Sequence, residues 1–157
     1  MSDANRSKLH AHCVGYFDAV MREDMAVVRA KFTPSAKITI LHGDNPKREF
    51  LLADVNGPNS LTHFYGHLWA NYSVKFYDFT YIIDAGADAG SCYFKVTLTP
   101  KPGSEYAATG ALHLNNCNFF RFANGLIADM MIYYANPTLG AALGGDTKKA
   151  PTAFPKS

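Results

Sequence analysis

The sequence predicts an α+β protein in which three helices precede an antiparallel sheet. Three observations carry this. Apolar residues recur at helical spacing through the first third of the chain, as in Leu9, Cys13, Tyr16, Phe17 and Val20. From Tyr72 onward the pattern turns to long β-type runs. The last two runs flank Ala123-Asn124-Gly125, and Asn-Gly is a strong hairpin signal because both residues tolerate positive φ. Helices followed by a run of strands pack naturally as helices on one face of a sheet.

In chain order, Ser7 reads as the cap of a first helix reaching about Arg22. Asp24 caps a second helix, Met25 to Phe32, with Met25, Val28 and Phe32 inward, and Thr33-Pro34-Ser35 stops it. Ala36 to Leu41 alternates as a strand, residues 42–48 form a loop, and Glu49 to Ala53 reads as a short second strand. Asn56-Gly57-Pro58-Asn59 opens a third helix whose apolar stripe is Leu61, Phe64, Tyr65, Leu68 and Trp69. Strands follow at Val74–Asp84, Ser91–Thr99, Tyr106–Phe122 and Leu126–Tyr134, joined by turns at 85–90 and 100–104.

A chain of 157 residues suits one domain with a real core. We place the domain at residues 1–145, followed by a mobile tail at 146–157 that is rich in Gly, Lys and Pro just before and within it. A net charge of +2 without a Lys/Arg run argues against a nucleic-acid partner or an anionic membrane surface. No apolar run approaches the ~20 residues of a membrane span. The polar start MSDANRSKLHAH leads to the expectation of a cytoplasmic protein. Cys13, Cys92 and Cys117 are odd in number and widely spaced, which favours reduced core thiols over a disulfide framework or a zinc site.

The stretch Asn115 to Asn136 holds an aromatic strand, the Asn-Gly turn, an Ile two residues later, and a Tyr-rich strand ending in Asn-Pro. It resembles the closing hairpin of the nuclear-transport-factor-2-like superfamily, in its SnoaL-like branch of polyketide cyclases, isomerases and phenazine-pathway proteins. The match in element order extends over residues 8–137. The resemblance implies a cystatin-like α+β barrel: the curved sheet forms a cone whose mouth the helices close. It also implies a homodimer formed through the sheet. Tyr77, Phe79, Tyr81 and Ile83 beside Lys75 are the expected exposed face.

Tyr16 lies eight residues before the Asp24 cap. That spacing resembles the ketosteroid isomerases, whose first helix carries a Tyr that donates to the substrate oxyanion. A phenol in an apolar pocket can stabilise an enolate without competition from water. The plain structural alternative is a core Tyr whose hydroxyl reaches a backbone carbonyl or the surface. Asn116 and Asn118 interrupt the apolar face made by Leu112, Leu114, Phe120 and Phe122. A buried amide left unpaired costs ~1–3 kcal/mol, so a ligand or a polar neighbour should satisfy it. Asn118 falls where the isomerases place a protonated Asp beside the Tyr; a β-bulge turning both amides outward is the alternative.

The isomerase base would fall at Ile40, so the nearest titratable candidate is His42, in phase with Ile38 and Ile40. Its alternative is a solvated loop residue. The phenazine-pathway branch resembles this chain in the segment from Asn136-Pro137 to Gly144, but its Glu would fall at Ile132 or Tyr133. The acids of a limonene-epoxide-hydrolase relay would fall at Thr97 and Ile132 or Tyr133, with Lys95 for its Arg. That reaction is therefore not expected. His63 and His67 lie opposite the third helix's apolar stripe with no acid beside them, so no metal is expected.

Phe17, Tyr65, Trp69, Asn116, Phe120, Met130, Ile132 and Tyr134 are the expected lining of an apolar, aromatic pocket. The expected function is a small-molecule enzyme of isomerase or cyclase type, working through an enolate with Tyr16, Asn118 and His42 as catalytic residues and no cofactor. Its substrate would be a hydrophobic carbonyl compound of polyketide, steroid or terpenoid kind. The alternative is a non-catalytic small-molecule-binding or assembly protein on the same scaffold.

Overall fold

A computed structural model describes residues 3–42, 46–84, 86 and 88–135. Helix α1 spans Asp3–Met21 and α2 spans Met25–Ala30. Strands β1 (Phe32–Leu41) and β2 (Arg48–Leu51) lead to α3 (Leu61–Asn71). The chain then runs through β3 (Tyr72–Ile83), β4 (Ala89–Pro100), β5 (Leu112–Ala123) and β6 (Leu126–Ala135). The six strands form one curled, unclosed sheet in the order β2-β1-β6-β5-β4-β3. Strand β1 lies parallel to β6, and every other pairing is antiparallel.

Local chemistry sets the element ends. Helix α1 begins before Ser7, at Asp3, whose carboxylate suits a helix N-terminus and pairs with Arg6 one turn on. Asp24 accepts the Val27 N–H at 3.0 Å and caps α2 as expected. Helix α2 stops at Ala30, so Phe32 opens β1 instead of closing the helix. Pro34 lacks an N–H, and it sits where the β1–β6 register shifts between Phe32 and Lys37. Ser60, one residue past the expected opening, caps α3 by accepting the His63 N–H at 3.0 Å. Residues 104–109 are turns, not the start of β5, since Gly103 and Gly110 both hold positive φ. Asn124 (φ 53°) and Gly125 (φ 77°) make the two-residue hairpin turn. The tail at 146–157 and the Asn136-Pro137 segment lie outside the described residues.

The helices cover one face of the sheet. Phe17 of α1 reaches Phe76 and Phe79 of β3, Phe94 of β4 and Phe120 of β5, at ring separations from 4.7 to 6.4 Å. Trp69 of α3 ties that helix to α1, its indole N–H donating to the Val20 carbonyl at 2.9 Å.

Strand β3 corrects one expectation. Its register with β4 shifts between Tyr77 and Thr80, and Asp78 holds a φ of 55°. This is a β-bulge: two residues of β3 oppose one of β4, and the side-chain alternation slips by one. Val74 and Phe76 therefore share the helix side with Phe79, Tyr81 and Ile83, all packed against the core. The face expected to be bare is mostly an inner one. The opposite face exposes Ile82 on the edge strand β3 and, across β4, β5 and β6, Tyr93, Phe119, Met131 and Tyr133.

Deleting Asp78 removes the extra residue, and regular alternation then keeps Phe79, Tyr81 and Ile83 inward, whereas one further residue inserted beside Asp78 should turn them to the solvent side. Burial of such side chains contributes ~1.5–3 kcal/mol each, so the insertion variant is expected to unfold or lose most of its thermal stability while the deletion variant stays folded. Asp78→Asn keeps a residue that tolerates positive φ and should melt within a few degrees of the wild type, as read by circular dichroism.

Candidate active site

Between the helices and the inner sheet face lies a cavity lined by Tyr16, Phe17 and Val20 of α1 and by Phe64, Tyr65 and Leu68 of α3. The sheet contributes Val74, Phe76, Phe94, Val96, Leu98, Leu114, Asn116, Asn118 and Ile132. The space open to the centre of a water molecule is about 30 Å³, room for one or two waters. A larger ligand enters only as the lining side chains shift.

Tyr16 is brought inward by the α1 stripe, and its hydroxyl lies 2.6 Å from that of Tyr65. One phenol donates to the other, which leaves the pair one further O–H to offer. Burial pushes both phenols' pKa values up, so both stay protonated and act as donors. The expected alternative for Tyr16, a bond to backbone, is not what the structure shows. Its partner is a second phenol, from a helix 49 positions away in sequence.

Strand β5 keeps its alternation along its length, so Asn116 and Asn118 do point inward, 5% and 2% exposed. The Asn118 amide donates weakly to the Met130 sulfur at 3.5 Å. Its Oδ1, like that of Asn116, is buried without a hydrogen-bond partner. Two unpaired amide oxygens in an apolar chamber call for a donor from a ligand or water.

Of the expected lining, Phe17, Tyr65, Asn116 and Ile132 face the cavity with Tyr16 and Asn118. Trp69 is engaged by the Val20 carbonyl, Phe120 stacks on Phe122 deeper in the core, and Met130 lies beneath the Asn118 amide, so these three stand outside the lining. Tyr134 stands at the rim, stacked on His42 with ring centroids 4.0 Å apart and hydrogen-bonded to Arg48. Burial and the nearby Arg48 charge push the His42 pKa down, so its imidazole is neutral at pH 7. Ile40 pairs with Ile132 in the β1–β6 register, and no lining residue is a carboxylate. His113 and Asp129 point to the outer face. Among the described residues no group of three or more His, Cys, Asp or Glu could hold a metal ion, and no helix is long and apolar enough to cross a membrane.

The Tyr16–Tyr65 bond was not legible in the sequence, because nothing links residues on separate helices until the fold does. The Arg48–Tyr134 pair escaped for the same reason.

A curled α+β sheet with helices over an apolar, amide-bearing chamber defines a cone-shaped fold. No protein-family model matches the sequence, and no curated protein matches it. Solved structures do match. A candidate polyketide cyclase from Xanthomonas campestris pv. campestris superposes with a TM-score of 0.68 at 17% identity, covering 90% of this chain and 98% of that one. A candidate isomerase from Bacillus subtilis gives 0.63 at 12% identity, covering 93% and 98%. A protein of unknown function with a cystatin-like fold, from Methylobium petroleophilum, gives 0.63 at 18% identity, covering 85% and 79%. The chain thus has the cystatin-like fold that the closing hairpin led us to expect.

Burial of titratable groups predicts a bell-shaped stability profile. Desolvation holds His12, His42 and His67 below the usual 6.5, so their contribution is present above 6.5 and lost as pH falls through the depressed values. Desolvation raises the Cys13 and Cys92 thiols from 9.0 to about 12, so theirs is complete below 9.0 and lost as pH rises toward 12. Melting temperature measured against pH should fall on both sides, and a Cys13→Ala/Cys92→Ala variant should show a shallower decline above pH 9.

Proposed function

We propose that the chain is a cofactor-independent enzyme of isomerase or cyclase type that polarises the carbonyl of a small hydrophobic compound. One observation carries this reading: two buried phenols 2.6 Å apart share an apolar cavity with two amides whose oxygens lack partners. The names of the structural neighbours, a candidate polyketide cyclase and a candidate isomerase among them, support the reaction class.

In this reading the substrate oxygen accepts from the Tyr16–Tyr65 pair and from the Asn118 amide. A C–H bond beside the carbonyl breaks, its electron pair moves onto oxygen as an enolate, and the proton passes to neutral His42. Return of that proton at another carbon completes an isomerisation. Preorganised donors in a water-poor cavity favour the enolate, because they need no reorganisation as charge develops. His42 lies two residues beyond Ile40 on β1, at the rim, and serves a ligand that extends from cavity to rim.

The cavity's lack of a carboxylate favours a second reading, a small-molecule binder on the same scaffold. Titration with planar phenols as enolate mimics tests the oxyanion site. Tyr16→Phe and Asn118→Ala should each weaken binding by ~1 kcal/mol, about fivefold. Unchanged affinity in both variants would make the pair structural. His42→Ala should retain phenol binding but lose proton exchange at the carbon beside a bound ketone's carbonyl; an unchanged exchange rate removes its role.

The reading also includes a homodimer. Tyr93, Phe119, Met131 and Tyr133 are 38–48% exposed on the sheet's outer face, with Lys37, Arg121 and Asp129 supplying both signs of charge nearby. Sedimentation should give a dimer that Phe119→Glu dissociates; a monomeric wild type would remove this part.

A further inference from the structure

At the rim, beside His42, a second cluster of polar side chains from β2, β3, β6 and α3 stands outside the cavity lining. Arg48 opens β2 and is half-buried, and its guanidinium donates to the Tyr134 hydroxyl. Tyr72 is fully buried, yet its hydroxyl has no hydrogen-bond partner. Its ring stacks on Tyr106 at 5.4 Å, and Tyr134 lies near enough to help raise its pKa. His67 sits edge-on to Tyr106 at 6.2 Å, and its Nε2 is also buried without a partner. The Arg48 charge reaches His67 as well.

A buried phenol and a buried imidazole nitrogen, each lacking a partner, cost stability unless something else satisfies them. Both pack on the Tyr106 ring, the Arg48 charge reaches His67, and the Tyr134 hydroxyl that Arg48 holds lies near Tyr72, which links the four groups at one end of the chamber. Glu105 is the acid that also acts on Tyr72 and His67, and it is exposed to solvent. A planar anion suits such a set, since Arg and phenol donors match the two oxygens of a carboxylate.

We propose that Arg48, Tyr72, His67 and Tyr134 form a carboxylate-recognition subsite, so that the ligand is a carbonyl or enol compound bearing an acid at its far end. The inference rests on the reading of the Tyr16–Asn118 cavity as the place of the ligand's oxygen. Asn118 pairs with Ile132 and Asn116 with Tyr134 across β5 and β6, so the rim is one inward step along β6 from the cavity. Two residues of strand span about 7 Å, which sets the separation between the ligand's carbonyl oxygen and its carboxylate. A ring with para substituents has about this reach.

The test compares 4-hydroxybenzoate with the neutral 4-hydroxybenzamide by calorimetric titration of the full chain. Wild type should bind the acid at least tenfold more tightly than the amide. Arg48→Met should reduce that preference to within twofold, and Tyr72→Phe should lower it severalfold. Tyr16→Phe should weaken both probes alike and leave their ratio intact. Equal affinity of wild type for acid and amide overturns the rim site while sparing the cavity reading. A preference that survives in both Arg48→Met and Tyr72→Phe also overturns it. If Arg48→Met does not fold, the wild-type ratio and Tyr72→Phe decide. If Tyr16→Phe binds both probes as wild type does, the cavity reading fails and an Arg48-dependent preference still supports the rim site. Binding of neither probe overturns both.

Discussion

The inner chamber depends on the seating of Phe17. Its ring meets residues from three strands, Phe76 and Phe79 on β3, Phe94 on β4 and Phe120 on β5, and it lies against Tyr16 at 5.0 Å. Edge-to-face aromatic contacts of this kind each contribute ~0.5–1.5 kcal/mol beyond burial and also fix orientation. With Phe17 seated among those strands, the rotation of α1 about its axis is set. Tyr16, the next residue back, then meets Tyr65 on α3. The geometry of the candidate site thus rests on apolar packing, with the phenol pair and the Trp69–Val20 bond as polar links between the two helices.

Most of the inner surface could be read from alternation. Strand β5 was legible because nothing interrupts it: Leu112 to Phe122 keep period two, and the two amides stand out against an apolar row. The third helix was legible from its stripe and only its cap was misplaced, since Ser60 sits just past the Gly-Pro signal. Strand β3 was not legible, because Asp78 is as acceptable in a regular exposed strand position as in a bulge. One unseen extra residue exchanged its faces. Strand β6 carries a comparable irregularity near Ala128, where the register with β5 shifts between Arg121 and Phe122. There the apolar pattern survived because Ile127 and Met130 both reach the core.

The site was legible as a set of residue types and not as a set of contacts. Tyr16, Asn116 and Asn118 were visible because each is a polar group on an otherwise apolar face. Tyr65 was visible as part of a stripe, but its hydroxyl's partner depends on how two helices cross. The rim residues were the least visible. Arg48 and Tyr72 stand at strand beginnings, where a sequence gives no hint that either is buried. Positions where related folds carry acids are occupied by Ile40 and Ile132, paired directly in the sheet. Two isoleucines there keep that part of the wall dry, which strengthens any dipole aimed into the chamber.

The pairing of β1 with β6 has a consequence for how the chain is made. Ile38 sits beside Met130, so the first strand cannot join the sheet until nearly the whole described chain has left the ribosome. Strands β3 to β5 are sequential hairpin neighbours and can assemble as they emerge. Until β6 arrives, β1 holds only β2, with Ile38 and Ile40 uncovered by the wider sheet. Non-local parallel pairing of this kind is intrinsically slow and leaves a strand edge open to other nascent chains. The helical N-terminus therefore waits longest for its final partners, and crowding during synthesis acts first on the strand that forms one wall of the chamber.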